Sequence, residues 1–222
     1  PNLVGDQIFN GSLDNSTCTV GLIEIARAFI NLDSHPKRSI AFLAVTAEYQ
    51  GLLGSLFYAT HPIYPTHKTV AAINMDALNI YGKMKDITLV GYGKSELDDY
   101  LKEVAAEQGR VVKPNPTPEK GSFYRSDHFS FAKEGIPALY AGTGNDHVKH
   151  GEEWTRALKE KYLSENYHEP SDEFDPNWDL SGAIDDLRIL FKVGYKLSME
   201  STFPNWREGT EFKAKRDADM SK

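Results

Sequence analysis

The sequence contains little cysteine, no long apolar run and no concentration of positive charge. Its single cysteine, Cys18, excludes a framework of internal disulfides. No stretch reaches the ~18 consecutive apolar residues that indicate a membrane-spanning helix. The net charge is −7 and the lysines and arginines are scattered, which argues against a nucleic-acid-binding surface. From composition alone we expect neither nucleic acid nor a membrane as a partner.

The rest of the composition is that of an ordinary globular protein. Apolar residues make up 40% of the 222 positions and charged residues 26%. This length suits one large domain with a full core, so we predict a single domain over residues 1–222. Because the chain begins with Pro1 and not with Met, we expect it to be a processed or cut piece of a longer protein.

Short apolar segments alternate with amphipathic segments along the chain. The apolar segments predict strands at 39–47, 69–78, 87–92 and 136–141. The amphipathic segments predict helices at 18–32, 50–60, 95–108, 128–134, 152–164 and 180–201. Loops are predicted at 1–13, 113–122 and 142–151, and the polar tail 203–222 is predicted to lie on the surface. This alternation predicts an α/β fold, with a mostly parallel central sheet and helices on both faces.

The most informative segment of the sequence surrounds Glu48. Uncharged residues 39–45 lead up to this acidic residue, and Gly51 and Gly54 mark the start of the helix that follows. A buried strand would therefore deliver the Glu48 carboxylate to its own C-terminal end. In open α/β sheets that edge is where ligands bind. We therefore interpret Glu48 as a functional residue.

Three further positions carry acidic or imidazole side chains beside predicted strands and helices. Asp14 precedes the first helix, Asp76 lies near the end of the second strand, and His168 lies in a loop between helices. Carboxylates mixed with imidazole suit a hydrolytic zinc site. Taken singly, each residue has a commoner structural role, which is a helix cap for Asp14, a turn for Asp76 and a solvated loop for His168.

Six stretches of the sequence resemble, in the same order, those of the di-zinc aminopeptidases of peptidase clan MH. This family includes the bacterial leucyl aminopeptidases, glutamate carboxypeptidase and, as non-proteolytic relatives, the glutaminyl cyclases. The stretches are NGSLDN (10–15), TAEYQGLLGS (46–55), INMD (73–76), RSDHFSF (125–131), GIPA (135–138) and YHEPSD (167–172). Each stretch alone is unspecific, whereas the combination is specific. The resemblance implies the α/β fold of a zinc exopeptidase.

The resemblance implies a role for each of the four residues singled out above. Asp14 matches the aspartate that bridges two zinc ions. Asp76 matches a terminal ligand of one ion, and His168 a terminal ligand of the other. Glu48 matches the general base that deprotonates the attacking water. Zinc is therefore the implied cofactor, and peptides are the implied substrates.

Three more residues lie beside these ligands by the same resemblance. Asp127 and His128 match a segment next to the substrate pocket, where they would contact substrate or orient the metal ligands. Tyr49 replaces the second glutamate of a Glu-Glu pair, which is a metal ligand in the family. A phenol, with an ordinary pKa of about 10, gives up its proton far less readily than a carboxylic acid. We therefore expect Tyr49 to be a poor zinc ligand and to fill space.

A second departure concerns the histidine that is the family's first metal ligand. It lies in a His-x-Asp stretch upstream of the residue that matches Asp14, and no residue before Asp14 is His. By resemblance, we expect the strands at the N-terminal side to be missing from this chain. Each zinc ion would then keep two protein ligands, where catalytic zinc normally has three. We expect one or two ions at partial occupancy, with His128, His147 and His150 as candidate substitute ligands.

The expected truncation also bears on association and location. Missing strands would leave apolar faces and unpaired strand edges exposed, and such surfaces favour association. We therefore expect a homo-oligomer that covers this surface. The resemblance also implies a secreted or periplasmic location, with which a single cysteine is compatible.

The function indicated by the whole pattern is a zinc-dependent hydrolase that removes N-terminal residues from peptides, with Glu48 as general base. The alternative is a non-catalytic relative that keeps the fold and binds metal weakly, which Tyr49 and the absent histidine favour. A serine hydrolase based on the Ser-Asp-His run at 126–128 is a weaker hypothesis, because triad members meet in space and not as sequence neighbours. Cys18 as a nucleophile at a helix start is equally weak.

Overall fold

The apolar segments of the chain form a short hairpin and a four-stranded sheet. The computed structural model describes residues 2–4 and 7–222. The strands within these residues are β1 (Asn2–Val4), β2 (Gln7–Phe9), β3 (Ala72–Asn74), β4 (Asp86–Val90), β5 (Val111–Pro114) and β6 (Ala138–Thr143). β1 and β2 pair with each other, and the remaining strands form one sheet in the order β3-β6-β4-β5.

The four-stranded sheet is mixed, with more parallel than antiparallel pairing. β3 runs parallel to β6, with Ala72 opposite Ala138. β4 runs parallel to β5 and antiparallel to β6, with Ile87 opposite Thr143 in the second pairing. The predicted α/β class with a mostly parallel sheet is therefore confirmed.

Seven helices lie in the described part of the chain, and six of them were predicted within a few residues. They are α1 (Thr17–Ile30), α2 (Leu53–Thr60), α3 (Leu97–Glu107), α4 (His128–Lys133), α5 (Gly151–Glu165), α6 (Ser181–Met199) and α7 (Lys213–Met220). Across residues 2–4 and 7–222, none of these helices combines the length and the apolar character needed to cross a lipid bilayer.

Helices cover both faces of the four-stranded sheet because side chains alternate along its strands. Leu139 and Ala141 of β6 belong to the main buried cluster, which also contains residues of α3 and α6. Ala138 points to the other face, where it belongs to a second cluster with Ala132 of α4 and Trp206. Burying one such leucine contributes about 1.5–3 kcal/mol. The two clusters hold the sheet between two helical layers.

The predicted strand at 39–47 is not a strand in the structure. This segment is irregular and largely exposed, and Phe42 and Leu43 remain 37% and 36% exposed. The backbone N–H groups of residues 39–46 donate no hydrogen bond to any residue that the structure describes. A strand requires a neighbouring strand to pair its backbone groups. The segment is apolar, as the strand prediction assumed. Local sequence does not show whether a neighbouring strand is available to pair with it.

The predicted surface tail at 203–222 packs against the rest of the molecule. Trp206 is buried, and its indole Nε1 donates to the carbonyl of Gly135 at 2.9 Å. Arg216 of α7 is also buried and donates to the carbonyls of Thr66 and Thr69. One aromatic ring and one hydrogen-bonded guanidinium are enough to hold the tail against the rest of the molecule, so its mean composition was misleading.

Two predicted loops also contain paired strands. β5 overlaps the start of the predicted loop 113–122, because β4 offers it a parallel edge. The predicted loop 1–13 contains the β1–β2 hairpin, and residues 1, 5 and 6 of that loop lie outside the described residues. In both places the pairing partner decides the structure more than the local composition does.

Candidate metal centre

Asp14 and His168 meet although they lie far apart in the sequence. Asp14 belongs to the turn Ser12–Ser16 that precedes α1, and His168 lies in the loop after α5. The Asp14 Oδ2 atom lies 3.1 Å from His168 Nε2, across a sequence separation of 154 residues. The side chain of Asp14 is 13% exposed and that of His168 is 30% exposed. Asp14 therefore faces a partner across the site and does not cap α1 with its side chain.

Tyr49 contacts both members of this pair. Its hydroxyl donates to Asp14 Oδ2 at 3.2 Å, and its ring lies edge-on to the His168 ring at 4.2 Å between centroids. Tyr167 contacts the His168 ring as well, at 3.5 Å between centroids. The expectation that Tyr49 only fills space is therefore wrong, because its hydroxyl makes a polar contact at the centre of the site.

Asp76 lies just beyond β3 and is held by neutral donors. The hydroxyl of Ser126 donates to Asp76 Oδ2 at 2.8 Å, and the Tyr140 hydroxyl approaches the same oxygen at 3.4 Å. Asn74 in turn donates from its Nδ2 to the Ser126 oxygen at 2.8 Å. These contacts fix Asp76 as part of a hydrogen-bonded cluster and not as a solvated turn residue.

Glu48 is presented on a tight turn and not at the end of a strand. The single 3-10 turn Glu48–Gln50 is flanked by left-handed backbone at Ala47 and Leu52, with φ of 58° and 62°. Burial, followed by the nearby Asp76 carboxylate, raises the pKa of Glu48 to about 7. Residues with a Cβ adopt such backbone angles only where the surroundings hold them, and they cluster at functional sites.

The acidic side chains of the site repel each other. Burial, reinforced first by Asp76, raises the pKa of Asp14 to about 7, although the hydrogen bond from Tyr49 opposes the shift. Burial also raises the pKa of Asp127, and Asp76 again adds to the effect. A cluster of carboxylates in a partly buried site favours either protonation or a bound cation.

His128 is buried among aromatic rings and makes no hydrogen bond within the described part of the chain. Its ring packs edge-on against Phe123 at 4.7 Å, and at a tilt against Tyr140 at 5.0 Å between centroids. Neither ring nitrogen has a hydrogen-bond partner among the described residues, and the same holds for Asp127 Oδ1. Burial lowers the pKa of His128 to about 3, so the ring is neutral at ordinary pH. His128 is therefore not a substitute metal ligand in this structure.

The two nucleophile hypotheses are also wrong. The Ser126 hydroxyl is engaged with Asn74 and Asp76, and no hydrogen bond joins it to His128 in the described structure. The Ser-Asp-His run is therefore not a triad. Cys18 is buried, and burial holds the pKa of its thiol well above its usual range, which keeps it protonated and unreactive.

His147 and His150, the other candidate substitute ligands, lie at the start of α5. The Nδ1 atom of His147 accepts hydrogen bonds from the backbone N–H groups of Lys149 and His150, each at 3.1 Å. The two imidazoles stack on each other, and both contact the Trp154 ring at a tilt. Their contacts are with these neighbours and not with Asp14 or Asp76, so neither replaces a missing ligand.

The sequence was compared with models of known families. The model of peptidase family M28 matches residues 3–191, which is most of the chain. The chain belongs to peptidase family M28. The resemblance inferred from the six stretches is therefore confirmed at the level of the family.

The fold of this M28 chain is similar to that of solved aminopeptidases. The LapA aminopeptidase of Legionella pneumophila is 20% identical with a TM-score of 0.66, over 90% of this chain and 50% of that chain. The aminopeptidase of Aneurinibacillus sp. strain AM-1 is 21% identical with a TM-score of 0.62, over 88% of this chain and 42% of that chain. The M28 chain thus spans half or less of the length of these two proteins.

A Zn-dependent exopeptidase shares the fold as well. The protein from Parabacteroides distasonis ATCC 8503 is 16% identical with a TM-score of 0.52, over 84% of this chain and 64% of that chain. At such identities the likeness shows a common fold. Roles for individual residues of the M28 chain must therefore be argued from its own geometry.

The side chains of Asp14 and His168 are of types that bind zinc, and their spacing suits one ion. Two ligands of a tetrahedral zinc ion lie about 3.3 Å apart, given the usual zinc–oxygen and zinc–nitrogen bond lengths. The 3.1 Å between Asp14 Oδ2 and His168 Nε2 is close to that separation. Carboxylate and imidazole are also ligands that zinc prefers, and the repulsion around Asp14 favours a cation. These residues would hold such an ion.

The number of donors is smaller than a catalytic zinc normally has. No group of three or more His, Cys, Asp or Glu side chains is arranged to hold a metal within the part of the chain that the structure describes. The third donor near Asp14 is the Tyr49 hydroxyl, and burial next to Asp14 holds its pKa well above the usual range. The structure therefore offers one two-ligand position, and the protonated Tyr49 phenol is hydrogen-bonded to one of the two ligands.

Sequence reasoning missed several residues that hold the site together. Ser126 binds Asp76, and the buried Asp172 binds the backbone of Asp14 at 3.1 Å through its Oδ2 atom. Both residues lie inside stretches that resemble the family. Residues beside them match the family's metal ligands and substrate contacts, and the site was assigned to those residues. Arg125 lies in the same stretch as Ser126 and was also missed. Its charge opposes the rise in the pKa of Glu48 and adds to the effect of burial, which lowers the pKa of His168.

Proposed function

We propose that this M28 chain is a zinc-dependent hydrolase that removes N-terminal residues from peptides. The observation that carries the proposal is the approach of Asp14 to His168 at 3.1 Å, beside the acidic residues Asp76 and Glu48. Residues from four separate segments are thereby gathered into one partly buried site. Membership of a peptidase family supports this assignment of the site.

Asp14 and His168 would hold the zinc ion, with Asp76 as the nearest further carboxylate. When bound, zinc supplies Lewis-acid chemistry, which polarises the scissile carbonyl and makes water a stronger acid. Asp14 can bind with Oδ2 while its backbone N–H remains tied to Asp172. Ser126 occupies Oδ2 of Asp76 and leaves its other carboxylate oxygen for a cation.

Glu48 is proposed as the general base. Its half-buried carboxylate lies close enough to Asp76 and Asp127 for their charges to act on it. In the reaction it takes a proton from the attacking water and passes it to the leaving amine. Asp127 and His128 lie on the Asp76 side of the site, where Asp127 is proposed to contact the substrate and His128 to support Tyr140 through ring packing.

A non-catalytic relative remains the second proposal, and the donor count favours it. The described residues provide a pair of zinc donors and not a set of three. Two protein ligands hold zinc more weakly than three, so the site would be only partly filled at low metal concentration. This reading predicts the same fold with little or no turnover.

Metal content and a single variant separate the two proposals. Zinc per chain is measured by plasma mass spectrometry on protein purified without chelators. One or two ions, together with release of an N-terminal residue from a peptide, support the hydrolase. No turnover, whether zinc stays unbound or binds only when it is added in excess, leaves the non-catalytic relative.

The Glu48→Gln variant tests the general base itself. We expect turnover to fall by roughly 100- to 10,000-fold, because the amide cannot accept the proton from water. Zinc content is expected to stay unchanged, since Glu48 is not among the proposed ligands. Glu119→Gln, an exposed acid on the turn Pro118–Lys120, is the matched control and should keep full turnover. Full turnover in the Glu48 variant would contradict its role.

A secreted or periplasmic location is proposed on the resemblance alone. Fractionation of cells that express the full natural protein, followed by detection with an antibody against residues of α6, would test it. Recovery in the cytosolic fraction would contradict the proposal.

A further inference from the structure

The Asp14–His168 pair needs a structural reason, because its two segments are distant in the chain. Asp14 lies on an irregular turn, and His168 lies on the loop between α5 and α6. Neither residue is held by a regular element of its own. The 3.1 Å approach of their side chains therefore depends on contacts between the turn and the loop.

Asp172 provides most of those contacts. It is only 2% exposed, and its Oδ1 accepts from the backbone N–H of Leu13 at 3.0 Å. Its Oδ2 accepts from the backbone N–H of Asp14 at 3.1 Å and from the Tyr162 hydroxyl at 3.2 Å. The carbonyl of Asp172 accepts from the backbone N–H of Ser12 at 3.1 Å. One residue thus holds three consecutive backbone amides of the turn.

Asp172 also closes the loop that carries His168. Its own N–H donates to the carbonyl of Glu169 at 3.0 Å, which forms a tight turn directly after His168. His168 has left-handed backbone with φ of 62°, which a residue with a Cβ adopts only when its surroundings require it. The residue that anchors the Asp14 turn therefore also restrains the backbone beside His168.

The contacts of Asp172 distinguish it from a metal ligand. Both carboxylate oxygens already accept hydrogen bonds from backbone or phenol donors, so its role is to orient other groups. We propose that Asp172 is a positioning residue that fixes Asp14 relative to His168 and so assembles the pair before a cation binds. This inference rests on the proposed function only in taking the bound cation to be zinc.

Zinc affinity of the full chain tests the inference. The dissociation constant is measured by competition with a chromophoric chelator, for the unchanged chain and for Asp172→Asn. We expect binding to weaken by roughly 10- to 100-fold, the usual effect of removing a group that orients a ligand. An unchanged dissociation constant in Asp172→Asn would overturn the inference.

Asp86→Asn is the matched control for loss of a buried carboxylate. Asp86 is fully buried, and it accepts from the backbone N–H groups of Asn145 and Asp146 at 2.9 and 2.8 Å. The variant removes the same kind of contact from a different loop. Its zinc affinity is expected to stay within about twofold of the unchanged chain, on the same scale of effects. Equal weakening in both variants would show a general loss of stability and would overturn the inference.

A second measurement does not need metal. Chemical denaturation of the metal-free chain gives the coupling free energy between Asp14→Asn and His168→Gln by a double-mutant cycle. We expect a coupling in the unchanged background and its loss in the Asp172→Asn background. A coupling that survives the loss of Asp172 would overturn the inference. If the unchanged chain binds no zinc, the proposed function fails, while this cycle still decides the role of Asp172.

A milder variant serves if Asp172→Asn does not fold. Tyr162→Phe keeps the carboxylate and removes one hydroxyl that donates to it. We expect a smaller loss of zinc affinity and of coupling, in the same direction. Values equal to those of the unchanged chain in both measurements would overturn the inference.

Discussion

At the scale of single residues, we predict that Tyr49 limits how tightly the site can hold a metal ion. Its hydroxyl lies 3.2 Å from Asp14 Oδ2, a separation similar to that between two ligands of one zinc ion. We predict that Tyr49→Glu tightens zinc binding by roughly 100-fold, because each ligand of a structural zinc site contributes about 3 kcal/mol. The measurement is the zinc dissociation constant by chelator competition.

The control for this prediction is Tyr49→Phe, which removes the hydroxyl and adds no ligand. We expect its zinc affinity to stay near that of the unchanged chain, because a protonated phenol contributes little to coordination. If Tyr49→Glu and Tyr49→Phe bind zinc equally, the third corner of the site does not lie at residue 49.

His128 makes the folded chain sensitive to acid. Burial lowers its pKa from 6.5 to about 3, so below pH 6.5 the unfolded chain binds a proton that the folded chain does not. Stability from this residue is full above pH 6.5 and is lost progressively as the pH falls towards 3. The loss is on the order of a few kcal/mol.

The variant His128→Phe should remove this acid sensitivity while keeping the ring packed between Phe123 and Tyr140. We predict a flatter fall in the free energy of unfolding between pH 6.5 and pH 4, measured by denaturant titration at each pH. The exposed His35→Phe serves as control and should keep the original slope. The raised pKa values of Asp14 and Glu48 have the opposite effect, since they increase the free energy of unfolding as the pH falls. Both residues are present in all three chains, so they do not affect the comparison. Identical slopes for His128→Phe and the unchanged chain would contradict the prediction.

At the scale of elements, the segment 39–47 behaves differently from the strands around it. It is apolar, yet its backbone amides have no partner among the described residues. We predict rapid amide exchange in residues 39–46, because unpaired N–H groups are open to water. The core strand β4, which pairs on both sides, should exchange more slowly by orders of magnitude.

Hydrogen–deuterium exchange followed by mass spectrometry measures both segments in one experiment. Protection of residues 39–46 equal to that of β4 would show that they pair with a strand in solution. That outcome would restore the strand predicted from the sequence.

At the scale of the whole molecule, several large apolar side chains are exposed on α1 and in and after α2. Val20, Ile23 and Ile30 lie on one face of α1 and are 59%, 50% and 77% exposed. Phe57 and Ile63 are 67% and 76% exposed. Monomeric proteins rarely expose so many large apolar side chains together.

We predict that these side chains belong to a surface that a second copy of the chain covers, giving a dimer or larger oligomer by multi-angle light scattering. The double variant Ile23→Glu, Phe57→Glu should be monomeric, because a buried unpaired carboxylate opposes association. Lys120→Glu, a charge change on the exposed turn Pro118–Lys120, should leave the oligomer intact. A monomeric unchanged chain at micromolar concentration would contradict the prediction.

Helices and apolar strands are local features, and the pattern of side chains was sufficient to locate most of them. α3 and α6 follow from helical spacing of apolar residues, because an amphipathic stripe packs against the core. α1 was located by the same spacing, although several of its apolar residues stay exposed. The types of side chain at Asp14, Asp76 and His168 were also sufficient to indicate metal-binding chemistry. Six ordered stretches then indicated the family that comparison showed.

Tertiary structure alone decided which side chains that are distant in the sequence come into contact. No local pattern shows that Tyr49 donates to Asp14, or that Asp172 holds the Asp14 turn from 158 residues away. The same holds for the segment 39–47, whose apolar residues predict a strand that has no neighbour to pair with. Hydrogen bonds across the chain depend on how whole elements pack, and packing is a sum over many weak contacts that short stretches of sequence do not contain.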